Sequence, residues 1–212
     1  MGFATSVMDH LRRTRAFAGV HACSQRLRYL RWIAGGGSGP PPHLVKKRAV
    51  LELAARFGTP VLIETGTHLG EMVQAARGAF DEIYSIELSP ELHRRATRRF
   101  ARDPRVTLLR GDSGEVLARV LERVDRPALL WLDAHWSAGA TARGAVETPI
   151  EKELRAVAAH PRSCPVVLID DARCFGTGDY PTLEAVERWA REHGYARCEV
   201  RDDIIRMVAA AR

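Results

Sequence analysis

The residues best suited to chemistry are carboxylates placed at the ends of short apolar runs. Glu64 opens the stretch Glu64-Thr65-Gly66-Thr67-His68-Leu69-Gly70, and Glu87 closes a second run. Asp112 and Ser113 follow Gly111 after a third, Asp133 closes a fourth, and Asp170-Asp171 close a fifth. Such a row of acids is costly unless it meets cations or hydroxyls. Asp133, Asp170 and Asp171 form the most specific group. If their runs are neighbouring strands, three carboxylates converge at one edge. That oxygen donor set suits Mg²⁺, with Mn²⁺ or Ca²⁺ as alternatives. The metal-free alternative has Asp171 capping a turn and Asp133 acting alone. His135 lies two residues beyond Asp133. Its imidazole suits a general base near neutral pH, and equally a metal ligand or a structural hydrogen bond.

The other strand ends suit a nucleoside. In an open parallel sheet, ligands sit outside the carboxyl ends of the strands. Gly66 and Gly70, with Thr67 between them, allow close backbone approach where a helix begins, so its N–H groups can meet an anionic ligand group. Glu87 follows Glu64 by 23 residues. An acid at that position can accept hydrogen bonds from both ribose hydroxyls. Asp112-Ser113-Gly114-Glu115 reads two ways, as a helix capping box or as an adenine contact.

These residues need a sheet to position them. The apolar runs are 61–64, 82–87, 105–110, 128–133, 165–170, 195–200 and 204–208, with helical patterns between most of them. Leu92, Ala96 and Phe100 share one helix face behind Ser89-Pro90, a cap and first-turn proline. Thr148-Pro149-Ile150-Glu151 reads as a capping box with proline at N1. Leu183, Val186 and Ala190 mark a third face. Alternating strands and helices predict an α/β fold with a mostly parallel sheet covered on both faces. Only Arg201-Asp202-Asp203 separate the last two runs, which predicts a terminal antiparallel hairpin.

Composition narrows the classes. The chain has 212 residues and a formal net charge of +6. Residues 1–50 carry nine basic side chains and one acidic, whereas 51–212 are nearly balanced. The basic character thus belongs to an N-terminal segment and does not mark the remainder as a nucleic-acid binder. Residues 1–42, ending in the Gly/Pro stretch 35–42, read as a helical extension and linker, a lid or a homodimer contact, ahead of a domain at 43–212. No apolar run approaches the ~18–20 residues of a membrane span. Arg12, Arg13 and Arg15 interrupt any signal-peptide core. Cys23, Cys164, Cys174 and Cys198 include no C-x-x-C pair and read as small, partly buried residues of a reducing, cytoplasmic setting.

Taken together, these motifs resemble the class I S-adenosylmethionine-dependent methyltransferases. The stretch 64–70 looks like the family's first motif, Glu87 like its ribose acid, Gly111-Asp112-Ser113 like its adenine-side motif, and Leu132-Asp133 like its fourth-strand motif. The resemblance covers about residues 43–208. It implies a Rossmann-like seven-stranded sheet of order 3-2-1-4-5-7-6 and S-adenosyl-L-methionine as methyl donor. Asp133 with Ile169-Asp170-Asp171 is similar to the metal-dependent small-molecule O-methyltransferases, of catechol and macrocin types. That likeness implies Mg²⁺ on these three acids, a small hydroxylated substrate from secondary metabolism, and His135 or Asp133 as proton acceptor. This sequence has Asp-Ala-His-Trp after the fourth strand, where macrocin-type enzymes have a second acid close by. Among rivals, a dehydrogenase is disfavoured because no Tyr-x-x-x-Lys pair exists. The Asn/Asp-Pro-Pro-Tyr motif of nucleic-acid base methylation is also absent, so nucleic acid is not the expected partner. Aminopropyl transfer and a basic membrane- or partner-binding module remain open.

Overall fold

A computed structural model of the chain describes residues 15–37, 39–134, 148–160 and 164–210. They fall into two compact units, the first ending at Lys46 and the second beginning at Lys47. In the first, helix α1 (Arg15–Ala34) closes on a glycine-rich turn. The N–H groups of Gly35 and Gly37 donate to the carbonyls of Arg31 and Trp32. The Trp32 indole donates to the Gly39 carbonyl at 3.3 Å. Leu27, Leu30 and Ile33 are exposed on α1.

The second unit is an α/β sandwich. Helix α2 (His43–Phe57) contains the boundary between the units, and after it come β1 (Val61–Thr65), α3 (Glu71–Ala76), β2 (Glu82–Glu87), α4 (Pro90–Phe100) and β3 (Val106–Arg110). There follow α5 (Ser113–Leu121), β4 (Ala128–Leu132), α6 (Ile150–Ala158), β5 (Val166–Ile169), α7 (Leu183–Glu192), β6 (Tyr195–Arg201) and β7 (Ile204–Ala209). A single 3-10 turn, Ala172–Cys174, follows β5. The strands form one sheet of order β3-β2-β1-β4-β5-β7-β6. Strands β1 to β5 pair in parallel, and β7 runs antiparallel to both β5 and β6. The expected strand order and terminal hairpin are both present.

Two apolar layers cover the sheet, because successive strand residues point to opposite faces. Ile63, Leu130, Leu132, Val167 and Ile169 pack with α5, α6 and α7. Leu62, Leu129, Trp131, Val166 and Leu168 pack with α2, α3 and α4. Central strands buried on both faces read as unbroken apolar runs, as in Ala128–Leu132. The helices follow the expected faces: Leu92, Ala96 and Phe100 are buried on α4, and Val186 and Ala190 on α7.

Two local expectations need correcting. Pro149 is the N-cap of α6, not its first helical residue, because its carbonyl already accepts from Glu153 N–H. Thr148 Oγ1 instead accepts from the Ile150 N–H at 3.3 Å. Cys23 is exposed on α1, while Cys164 is buried as expected. Among the described residues no helix is long and apolar enough to cross a membrane.

Trp131 is 1% exposed at the centre of one layer. Trp131→Ala should destabilise the fold by about 3–5 kcal/mol through lost burial and a residual cavity, measured by urea unfolding. A loss within 1 kcal/mol would contradict this packing.

Candidate functional site

The carboxyl ends of β1, β2, β4 and β5 meet at one edge, and backbone bonds set their spacing. Gly66 and Thr67 donate to the Ile86 carbonyl, Asp133 N–H donates to the Thr65 carbonyl, and Asp170 N–H donates to the Leu132 carbonyl. Gly66 has φ 84°, and a Cβ there would lie 2.3 Å from the Asp133 carbonyl oxygen. Only glycine lets the first turn lie against the end of β4. Gly70, at φ 70°, is the N-cap of α3.

Glu64 is buried near the end of β1, against β2. It is 2% exposed and accepts from Ser85 Oγ. Ser85 Oγ also lies 2.6 Å from Thr67 Oγ1. Burial pushes the Glu64 carboxyl up to about 8, with Asp133 and Glu87 adding to the shift and the Ser85 bond opposing it. Glu87 is 5% exposed at the end of β2. Its Oε2 accepts from His68 N–H at 2.7 Å, and its Oε1 from Ser89 N–H at 2.8 Å. Each carboxylate oxygen has a second lone pair, so Glu87 retains capacity for further donors. These bonds hold the carboxylate against the first turn. The His68 ring is exposed.

Asp112 is the N-cap of α5, its Oδ1 accepting from Gly114 N–H at 2.9 Å. The capping half of its expected role is therefore present. Ser113, the first helical residue, is buried beside it.

Asp133, Asp170 and Asp171 come together as expected: one carboxylate oxygen from each lies within 4.8 Å of the others. Octahedral Mg²⁺ with oxygens at about 2.0–2.1 Å needs ligand atoms about 2.9–4.2 Å apart. The trio is close to that size and consists of hard oxygen donors, so it fits a divalent cation. Asp170 and Asp171 are 3% and 5% exposed. Asp171 has φ 58°, a left-handed conformation unusual for a non-glycine residue. His135 lies outside the described residues, as does most of the loop 134–147.

The sequence reading missed two residues. Glu153 on α6 is 1% exposed. Burial raises its carboxyl to about 7, against hydrogen bonds from Ser113 and Thr65, while Asp112 and Asp133 push it further up. Thr65 Oγ1 also accepts from Asp133 N–H at 3.2 Å. Glu153 thus adjoins the elements carrying Asp112, Thr65 and Asp133. Its register offered a signal, since Ile150, Glu153 and Val157 lie on one face. Tyr180 is partly buried edge-on to Phe175. Burial raises its phenol above the usual range, and Asp171 and Asp133 reinforce that shift. It lies in a loop where no periodicity marks a side chain.

The architecture is that of class I methyltransferases. A putative caffeoyl-CoA O-methyltransferase from Staphylococcus aureus matches with TM-score 0.54 and 12% identity, covering 92% of this chain and 98% of its own. The S-adenosylhomocysteine-bound Podospora anserina methyltransferase PaMTH1 matches with TM-score 0.53 and 14% identity, covering 100% and 97%. Streptomyces venezuelae DesVI matches with TM-score 0.53 and 14% identity, covering 78% and 91%. No protein-family model and no curated protein matches the sequence.

The buried acids give the ligand-free protein a distinctive pH dependence. Between about pH 4.5 and 8, folded Glu64 holds a proton that the unfolded chain has released. Stability from this group is therefore fullest at acid pH and falls as pH rises through that window. Glu153 adds a fall of the same sign up to about pH 7. Glu64→Gln should flatten the decline in urea midpoint between pH 5 and 8. Equal slopes in variant and wild type would contradict this environment for Glu64.

Proposed function

We propose that this chain is an S-adenosyl-L-methionine-dependent methyltransferase acting on a hydroxyl of a small molecule, with Mg²⁺ as its cation. The observation that carries the reading is the convergence of Asp133, Asp170 and Asp171 beside the Gly66 turn, on a methyltransferase fold. The fold alone is common to enzymes with many acceptors, whereas a trio of hard oxygen donors favours an acceptor bound through adjacent oxygens.

In this reading Gly66, Thr67 and Gly70 shape the backbone around the cofactor's amino-acid end, with Glu64 beneath them. Glu87 accepts from the ribose hydroxyls, and Asp112 and Ser113 border the adenine. Asp133, Asp170 and Asp171 hold the divalent cation. When bound, the cofactor supplies a sulfonium methyl, and the cation lowers the acceptor hydroxyl's pKa. The protein must then align acceptor oxygen and methyl group and keep water out. His135 or Asp133 would take the hydroxyl proton. Tyr180, a phenol protonated at neutral pH, suits a hydrogen-bond donor to the acceptor.

Isothermal calorimetry tests the cofactor half. The protein should bind S-adenosylhomocysteine, and Glu87→Ala should weaken binding by at least about tenfold, or ~1.4 kcal/mol. Absence of binding to the wild type would overturn the methyltransferase reading. For the metal half, methyl transfer to a catechol or vicinal diol should stop in excess EDTA and return with Mg²⁺. Undiminished transfer in EDTA would contradict it.

A further inference from the structure

Asp171 is held by Arg173, which is in turn held by Asp203 from the turn between β6 and β7. Arg173 Nη1 donates to Asp171 Oδ1 at 2.7 Å. The same nitrogen bonds Asp203 Oδ2. Asp203 also accepts the Arg173 N–H on Oδ1 at 2.8 Å, and its carbonyl accepts the Ala172 N–H at 2.9 Å. Asp203 occupies the turn between β6 and β7, with Asp202 beside it, at φ 60° and 55°. Both values are those of a primed two-residue turn, in which Asn-Gly is the usual pair. An aspartate at the second position costs backbone strain that glycine would avoid. Asp202 has a separate use within the hairpin, accepting from Arg206 at 2.8 Å. Asp203 instead directs its carboxylate and carbonyl at the segment 172–173.

We propose that Arg173 and Asp203 form a positioning pair that presents Asp171 to the cation. The proposal rests on the metal reading given above. Asp171 sits in a left-handed conformation directly before the 3-10 turn, so its side-chain direction depends on what anchors residues 172–174. The hairpin turn supplies that anchor. A carboxylate can accept a guanidinium on one oxygen and ligate a metal with the other. Hydrogen-bonding partners of this kind orient metal ligands and raise affinity. Asp203 has a second, electrostatic effect. Its negative charge balances the guanidinium, which would otherwise face Asp171 alone and repel the cation. Orientation and charge therefore act in one direction for Asp203, and its loss weakens metal binding.

The test is Mn²⁺ binding to the full chain, followed by the electron paramagnetic resonance of free Mn²⁺. Asp203→Asn should weaken Mn²⁺ binding by about 10–100-fold, while S-adenosylhomocysteine affinity and the unfolding midpoint stay close to wild type. Asp202→Asn removes the same charge from the neighbouring residue and should leave Mn²⁺ affinity within about threefold, because Asp202 pairs with Arg201 and Arg206 instead. Arg173→Lys, which keeps the charge but loses the rigid guanidinium carrying the bridging Nη1, should weaken binding in the same direction as Asp203→Asn. Wild-type protein that binds no Mn²⁺ overturns the metal reading itself. Wild-type protein that binds, with Asp203→Asn and Arg173→Lys binding equally well, overturns the positioning pair and leaves the metal reading standing. Equal losses in Asp202→Asn and Asp203→Asn also overturn it, since charge alone would then account for the effect.

Discussion

Carboxylate crowding is the constraint around which this site is built. Glu64, Glu87, Asp133, Asp170 and Asp171 stand at the ends of four adjacent strands, and Glu153 adjoins them from a helix. Like charges this close, and largely out of water, cannot all remain ionised without compensation. The protein supplies part of it through backbone N–H groups on Glu87, hydroxyls on Glu64 and Glu153, and a guanidinium on Asp171. Even so, Glu64 and Glu153 are pushed toward their neutral forms. Ligands that bring positive charge and hydroxyl donors would complete the balance. A sulfonium, an ammonium, a ribose and a divalent cation are such ligands.

The backbone makes the crowding inescapable. Asp133 is bound through its N–H to both the carbonyl and the hydroxyl of Thr65. Its carbonyl lies where any Cβ on residue 66 would clash. The turn after β1 and the end of β4 are thus one rigid junction, and Glu153 adjoins it through the Thr65 hydroxyl. On the other side, Asp170 N–H pairs with Leu132, which aligns the end of β5 with that of β4. The distances among the three aspartates therefore follow largely from sheet register. The exception is Asp171, one residue past the sheet-aligned Asp170, which depends on the hairpin turn.

The sheet was legible because its central strands are buried on both faces and read as unbroken apolar runs between amphipathic helices. Three residues between the last two runs marked the hairpin. The meeting of Asp133 with Asp170 and Asp171 was legible as soon as β4 and β5 were taken as neighbours. What escaped the sequence was contact between distant segments. Glu153 sits in Glu151-Lys152-Glu153, which resembles an exposed charged turn of helix until its register is set against Ile150 and Val157. The Arg173–Asp203 pair joins residues 30 apart and depends on a turn conformation that no periodicity encodes. Pro149 as cap is a one-residue difference of the kind that carbonyl geometry decides.

The central claim is that this acidic edge is one binding surface, with nucleoside acids at β2 and α5 and a cation site at β4 and β5. A crystal structure with S-adenosylhomocysteine and Mn²⁺, recorded at the manganese absorption edge, tests it most directly. The account predicts ribose hydroxyls on Glu87 and an anomalous peak bonded to oxygens of Asp133, Asp170 and Asp171. A nucleoside bound away from Glu87, or a cofactor-loaded site with no anomalous peak among those aspartates, would contradict it.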